Sequence, residues 1–125
     1  MAYADVKVHQ MDGVGWLEYH RLPRNAFNWE MLREVPVALE ELLNAADVRV
    51  IVIASAIDRY FSTGADLTTF QGMSQGDVAS WVETCHSLVR QMRAAQKPLL
   101  AAIHGTAVGG GLEIVLHCDI RFAAH

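Results

Sequence analysis

Cysteine is scarce. Cys85 and Cys118 are the only two in 125 residues, too few for a disulfide framework and without the Cys-x-x-Cys spacing of a zinc or redox motif. Only three prolines occur, and no Pro-rich, Gly/Ser-rich or repetitive segment marks a linker or disordered tract. Charged residues make up 19% of the chain, against about 25% in average soluble domains. Ten basic residues against fourteen acidic ones leave a net charge of −4, with no Lys/Arg stripe. A nucleic-acid or anionic-membrane partner is therefore not expected. Long hydrophobic runs are missing too. The longest apolar-rich stretch, residues 50–57, is far below the roughly 20 residues of a membrane-spanning helix. Residues 1–8 lack the basic-then-apolar pattern of a secretory signal. Together these absences predict a reduced, cytoplasmic protein.

What is present is apolar. Hydrophobic residues account for 52%, and a chain this long can bury about 65–70% of its unfolded surface, enough for one core and one domain spanning residues 1–125. So high an apolar share, with so little charge to cover it, predicts self-association or membership of a larger folded unit.

The pattern along the chain alternates between two periods. Residues 6–10 and 14–20 are β-rich runs separated by Met11-Asp12-Gly13, a hairpin signal. Asn28 is placed to cap a helix whose apolar positions Met31, Leu32, Val35, Leu39, Leu42 and Leu43 follow a 3.6 period. Pro36 falls inside that helix and predicts a kink. Residues 48–54 are β-branched and nearly continuous, as in a strand covered on both faces. Ser74 with Asp77 forms a capping box ahead of a helix over residues 75–95, with an apolar stripe of Val78, Trp81, Val82, Cys85, Leu88, Val89 and Met92. Lys97-Pro98 ends that helix and starts a buried strand over residues 99–103. A glycine run leads into a helix over residues 110–117, and residues 120–124 read as a last strand. The fold class is thus α/β with parallel strands. No helix follows to cover the last strand, which predicts that more chain should follow.

Two segments carry possible chemistry. His104-Gly105-Thr106-Ala107-Val108-Gly109-Gly110-Gly111-Leu112-Glu113 runs from a strand through a glycine triplet into a helix. Glycines there permit positive φ or close approach to the backbone, and the free N–H groups of a helix start suit a phosphate or a developing oxyanion. Close packing of strand against helix explains the same glycines equally well. The spacing fits neither G-x-G-x-x-G nor G-x-x-x-x-G-K-[ST], so dinucleotide and P-loop cradles are not indicated. The second segment is Phe61-Ser62-Thr63-Gly64-Ala65-Asp66-Leu67, a turn after a buried strand; taken alone it is a generic corner. Ser62 and Thr63 lack a Gly-x-Ser-x-Gly elbow. The six histidines are scattered, and Glu113 with His117 at i, i+4 does not make a metal site. Cys118 is expected to pack as a small hydrophobe.

Taken together, Phe61–Leu67, Lys97-Pro98, the Gly105–Glu113 run and Cys118-Asp119 resemble the enoyl-CoA hydratase/isomerase (crotonase) family. The pattern of Phe-x-x-Gly-Ala-Asp-Leu, then Lys-Pro, then Gly-x-Ala-x-Gly-Gly-Gly-x-Glu and Cys-Asp is matched throughout. Pro23-Arg24-Asn25-Ala26-Phe27-Asn28 is similar to the family's early Asn-Ala loop. The resemblance implies a spiral of ββα turns that binds acyl-coenzyme A thioesters and assembles as trimers or pairs of trimers, in which case this chain is the N-terminal half and the spiral is incomplete at its C-terminus. It implies an oxyanion hole from the backbone N–H groups of Ala65 and Gly110, with Glu113 as one of two catalytic glutamates. The second falls after the last strand. It further implies substrate contacts from Arg24, Ala26, Gly64, Asp66, Leu67 and Gly109. No metal and no resident cofactor are expected, coenzyme A entering as part of the substrate. The resemblance leaves three activities open: hydration of a 2-enoyl-CoA, which is the expectation here; double-bond isomerisation or thioester hydrolysis on the same fold; and non-catalytic acyl-CoA binding or assembly.

Overall fold

A computed structural model describes residues 2–125. Strands β1 (Val6–Met11) and β2 (Val14–Tyr19) form an antiparallel hairpin with Met11 opposite Val14. Asp12 and Gly13 both take positive φ, +54° and +83°, as a two-residue turn matched to strand twist requires. The chain then passes through β3 (Ala26–Phe27) into helix α1 (Trp29–Asn44), whose first turn is capped by Asn28 Oδ1, 2.9 Å from Met31 N. Pro36 does not divide this helix. Met31, Leu32 and Val35 on one side of it and Ala38, Leu39 and Leu42 on the other are all buried, and their burial outweighs the roughly 3 kcal/mol a helical proline costs. The Pro36 carbonyl, on the side facing α2, accepts from Gln91 Nε2 at 2.9 Å.

Two ββα turns follow. The first comprises β4 (Val50–Ser55), β5 (Tyr60–Ser62), β6 (Gly64–Ala65), a 3-10 turn (Leu67–Phe70) and helix α2 (Gln75–Ala94). The second comprises β7 (Leu99–Ile103), β8 (Thr106–Ala107) and helix α3 (Gly110–Val115), and leads into β9 (Ile120–Ala123). The main sheet has the order β1-β2-β4-β7-β9, parallel from β2 onward. Two small parallel pairs, β3–β6 and β5–β8, stand apart from it. The sequence reads these short strands as loops. They are too short for any periodicity, and their hydrogen-bond partners are distant in sequence.

Several boundaries move by one or two residues. The strand expected from residue 48 begins at Val50, with Val48 still buried. α2 ends at Ala94, its capping box formed in both directions. α3 closes at Val115 rather than His117. The core gathers Leu17, Tyr19, Phe27, Ile51, Ile53, Phe61, Leu99 and the buried face of α1. Tyr19 meets Phe27 and Phe61 edge-on. Lys97 closes the C-terminal end of α1, its Nζ donating to the carbonyls of Leu42 (2.9 Å) and Ala45 (2.8 Å). All four residues of β9 are exposed. Among the described residues no helix is long and apolar enough to cross a membrane.

Candidate active site

The two segments singled out by their glycines meet. Phe27 pairs with Ala65 across β3–β6, and the Asp66 N–H donates to Phe27 O at 2.8 Å. Alternation along an extended strand turns the Ala65 N–H the other way, off β3. Gly64, at φ +89°, packs directly against the start of α3: a Cβ there would stand 2.8 Å from Gly110 N. Any larger residue at 64 is excluded both by that approach and by its backbone conformation.

α3 starts from Gly109, at φ +53°. The Gly111 N–H donates to Val108 O (3.0 Å), and those of Leu112 and Glu113 to Gly109 O (3.1 and 2.9 Å). This leaves the Gly110 N–H as the first-turn donor without an acceptor among the described residues. α3 has only six residues, so the donor itself, rather than a long-helix dipole, is the feature to weigh.

Gly64, Ala65, Gly110 and Glu113 line one cavity of about 600 Å³. Its other walls are largely apolar, with Phe27 and Leu32 from the core side, Trp81, Val82, Leu88 and Val89 from α2, Ile114 from α3 and Leu116 just after it; His86 and His117 add polar edges. Val82 remains 43% exposed, although its spacing reads as core. The stripe expected to bury α2 is in large part the wall of this cavity. Cys85 lines it too; burial raises its thiol pKa, and the Glu113 carboxylate facing it raises it further.

Other predicted contacts lie elsewhere. Arg24 is exposed, with its guanidinium 6.0 Å above the Tyr60 ring and its carbonyl accepting from Thr63 N at 3.3 Å. The Ala26 carbonyl accepts from Arg21 Nη1 at 2.7 Å. Asp66 caps the 3-10 turn, held by Thr68 and by Arg21 Nη1 (3.0 Å). Those two partners, Thr68 first, hold its carboxyl below the usual range. Leu67 is 79% exposed. Gly109 is the cap of α3. None of Arg24, Ala26, Asp66, Leu67 and Gly109 lines the cavity. The sequence reading missed Arg21 and the buried pair Asn25 and Ser62. Buried polar atoms leave no periodic trace; the signal for Asn25 was its place in the Asn-Ala loop of the family resemblance, and for Ser62 its place between Phe61 and the Gly64 turn. Among the described residues, no cluster of three or more His, Cys, Asp and Glu side chains is arranged to hold a metal.

The profile of the enoyl-CoA hydratase/isomerase family matches residues 10–125. The chain belongs to this family. Among enoyl-CoA hydratase/isomerase relatives, it is 38% identical over 112 residues to a probable enoyl-CoA hydratase of Bacillus subtilis, covering 89% of this chain and 43% of that protein. It is 39% identical over 101 residues to the mitochondrial enoyl-CoA hydratase domain-containing protein 2 of Mus musculus, covering 81% and 34%. The crystal structure of enoyl-CoA hydratase from Thermoplasma volcanium superposes with a TM-score of 0.88 at 29% identity, covering 94% of this chain and 47% of that one. The crotonase fold expected from the motifs is thus the observed one. The chain spans less than half the length of each of these relatives.

Proposed function

We propose that this chain forms the oxyanion-binding half of an acyl-CoA enzyme, an enoyl-CoA hydratase that adds water across a 2-enoyl-CoA. The observation that carries the reading is the convergence of Gly64–Ala65, Gly110 and Glu113 on one apolar-walled cavity. As the nucleophile adds to C3, negative charge moves onto the thioester oxygen, giving an enolate. The N–H groups of Ala65 and Gly110 receive that oxygen, and fixed donors favour the anion over the neutral carbonyl. One such donor is worth roughly 2.7–4 kcal/mol in acyl-transfer enzymes. Glu113, three residues beyond Gly110 on α3, returns its carboxylate to the same cavity after nearly one turn. There it orients the water and accepts its proton as the C–O bond forms at C3, while C2 is protonated. The resemblance implies a second glutamate in the complete enzyme, which would donate the C2 proton in this scheme. The apolar wall contributed by α2 suits an acyl chain, and homo-oligomerisation would cover the exposed apolar side chains of α3 and β9.

The test is Glu113→Gln in the complete gene product, which keeps volume and hydrogen-bonding capacity but removes the base. Hydration of a 2-enoyl-CoA should fall by at least about 10²-fold, while calorimetry shows acetoacetyl-CoA bound as by the wild type and neither NAD nor ATP bound. Hydration at the wild-type rate would remove the hydratase assignment and leave isomerisation or thioester hydrolysis.

A further inference from the structure

Among the described residues, the core encloses Asn25 and Ser62, polar side chains that are both fully inaccessible. Neither belongs to the proposed chemistry, and neither faces the cavity. Their hydrogen bonds run to the backbone that does. Ser62 Oγ donates to Asn25 O at 2.8 Å and accepts from the Gly64 N–H at 3.1 Å. The Ser62 carbonyl accepts from Val108 N at 3.1 Å. A Cβ at Gly111 would run into that same carbonyl oxygen and lie 2.7 Å from Ser62 Cβ. Ser62 therefore touches both loops at once. Through Gly64 it is one residue from the Ala65 N–H, and through Val108 and Gly111 it flanks the Gly110 N–H on both sides. Asn25, at φ +54°, ties the joint to the core by donating from Nδ2 to Ser55 Oγ (2.8 Å) and Phe61 O (3.0 Å).

We propose that Ser62 is a positioning residue that sets the separation and aim of the two oxyanion donors, with Asn25 as its anchor. This rests on the reading of Ala65 and Gly110 as an oxyanion hole. The physical argument is one of over-determination. Two donors on different loops act together only if their geometry is fixed before the substrate arrives. The Ser62 hydroxyl uses both its donor and an acceptor site in that joint, and removing it leaves the Gly64 N–H and one lone pair of Asn25 O unpartnered in a dry interior. The loop carrying Ala65 can then shift to repair the loss, and displacements well under 1 Å suffice to weaken a hydrogen bond to the developing charge.

The experiment uses Ser62→Ala and Ser62→Cys in the complete gene product; the thiol fills the space but donates and accepts weakly. Three readouts are taken: kcat and KM for a 2-enoyl-CoA, affinity for acetoacetyl-CoA, and the carbonyl stretching frequency of a bound unsaturated thioester by Raman difference spectroscopy. Ser62→Ala should lower kcat by about 10- to 100-fold with KM changed less than threefold. The carbonyl band should move back toward its value in solution, and Ser62→Cys should lie between Ala and wild type in both. A purely structural role would lower the melting temperature and leave band and kcat in place. Wild-type kcat and an unshifted band in either folded variant overturn the proposal while leaving the hydratase reading intact. A wild type that binds no thioester overturns both. Should Ser62→Ala not fold, Ser62→Cys decides alone by the same criteria.

Discussion

Helices α1 and α2 present comparable apolar stripes in sequence and meet different fates. α1 buries Met31, Leu32, Val35, Ala38, Leu39 and Leu42 along its 16 residues, and its C-terminal end is closed by Lys97. α2 is longer, at 20 residues, yet buries only Trp81, Leu88 and Met92. The side chains between them, Val82, Cys85 and Val89, face the cavity opposite Gly110 and Glu113. A 3.6-residue apolar period states that a helix has an apolar face; it does not state whether protein or ligand will cover that face. In α1 the answer is the sheet, and in α2 it is in part open space shaped by two glycine loops.

That contrast can be broken by substitution. Leu39→Ala removes a fully buried side chain from α1 and should destabilise the protein by about 2–5 kcal/mol in denaturant titration; a loss under about 1 kcal/mol would mean α1 is not the core helix. Val82→Ala on α2 should leave the unfolding free energy within about 1 kcal/mol, because the side chain is already half exposed. It should instead weaken an acyl-CoA ligand by up to about 1 kcal/mol, several-fold in Kd, through the lost methyl contacts. A large stability loss without change in ligand affinity would place Val82 in the core after all.

The smallest effect sharpens the geometry across the cavity. The Cys85 thiol is pushed up first by burial and then by the Glu113 carboxylate. Glu113→Gln should therefore move the pH profile of Cys85 alkylation to lower pH. Cys118, pushed up to about 11 mainly by burial, should stay unreactive near neutrality and serve as the internal reference. An unmoved Cys85 profile would mean that α2 and α3 do not face each other as described.

Sequence patterning accounts for the long elements because each carries its own signal: the Asp12-Gly13 turn, the Asn28 cap, the Ser74–Asp77 box and the β-branched run of β4. The short strands β3, β5, β6 and β8 were not legible, since two or three residues hold no period and their partners lie far along the chain. The two glycine segments of the candidate site were legible as places where the backbone needs glycine, because Gly64 and Gly109 take positive φ and Gly64 approaches Gly110 closely; the residues alone left ligand binding and close packing both open. The roles of Arg21, Asn25 and Ser62 were not legible. They depend on which backbone atoms the fold brings to them, and sequence spacing says nothing about that. The same holds for Asp66, whose carboxylate partners Thr68 and Arg21 could not be read from spacing.

The central claim is that the N–H groups of Ala65 and Gly110 converge on one oxygen. A crystal structure of the complete gene product with acetoacetyl-CoA tests it most directly. The thioester oxygen should lie about 2.7–3.1 Å from both Ala65 N and Gly110 N, with the Glu113 carboxylate beside the acyl carbons. A thioester oxygen bound to neither nitrogen, or held by only one of them with the other facing solvent, would contradict the account.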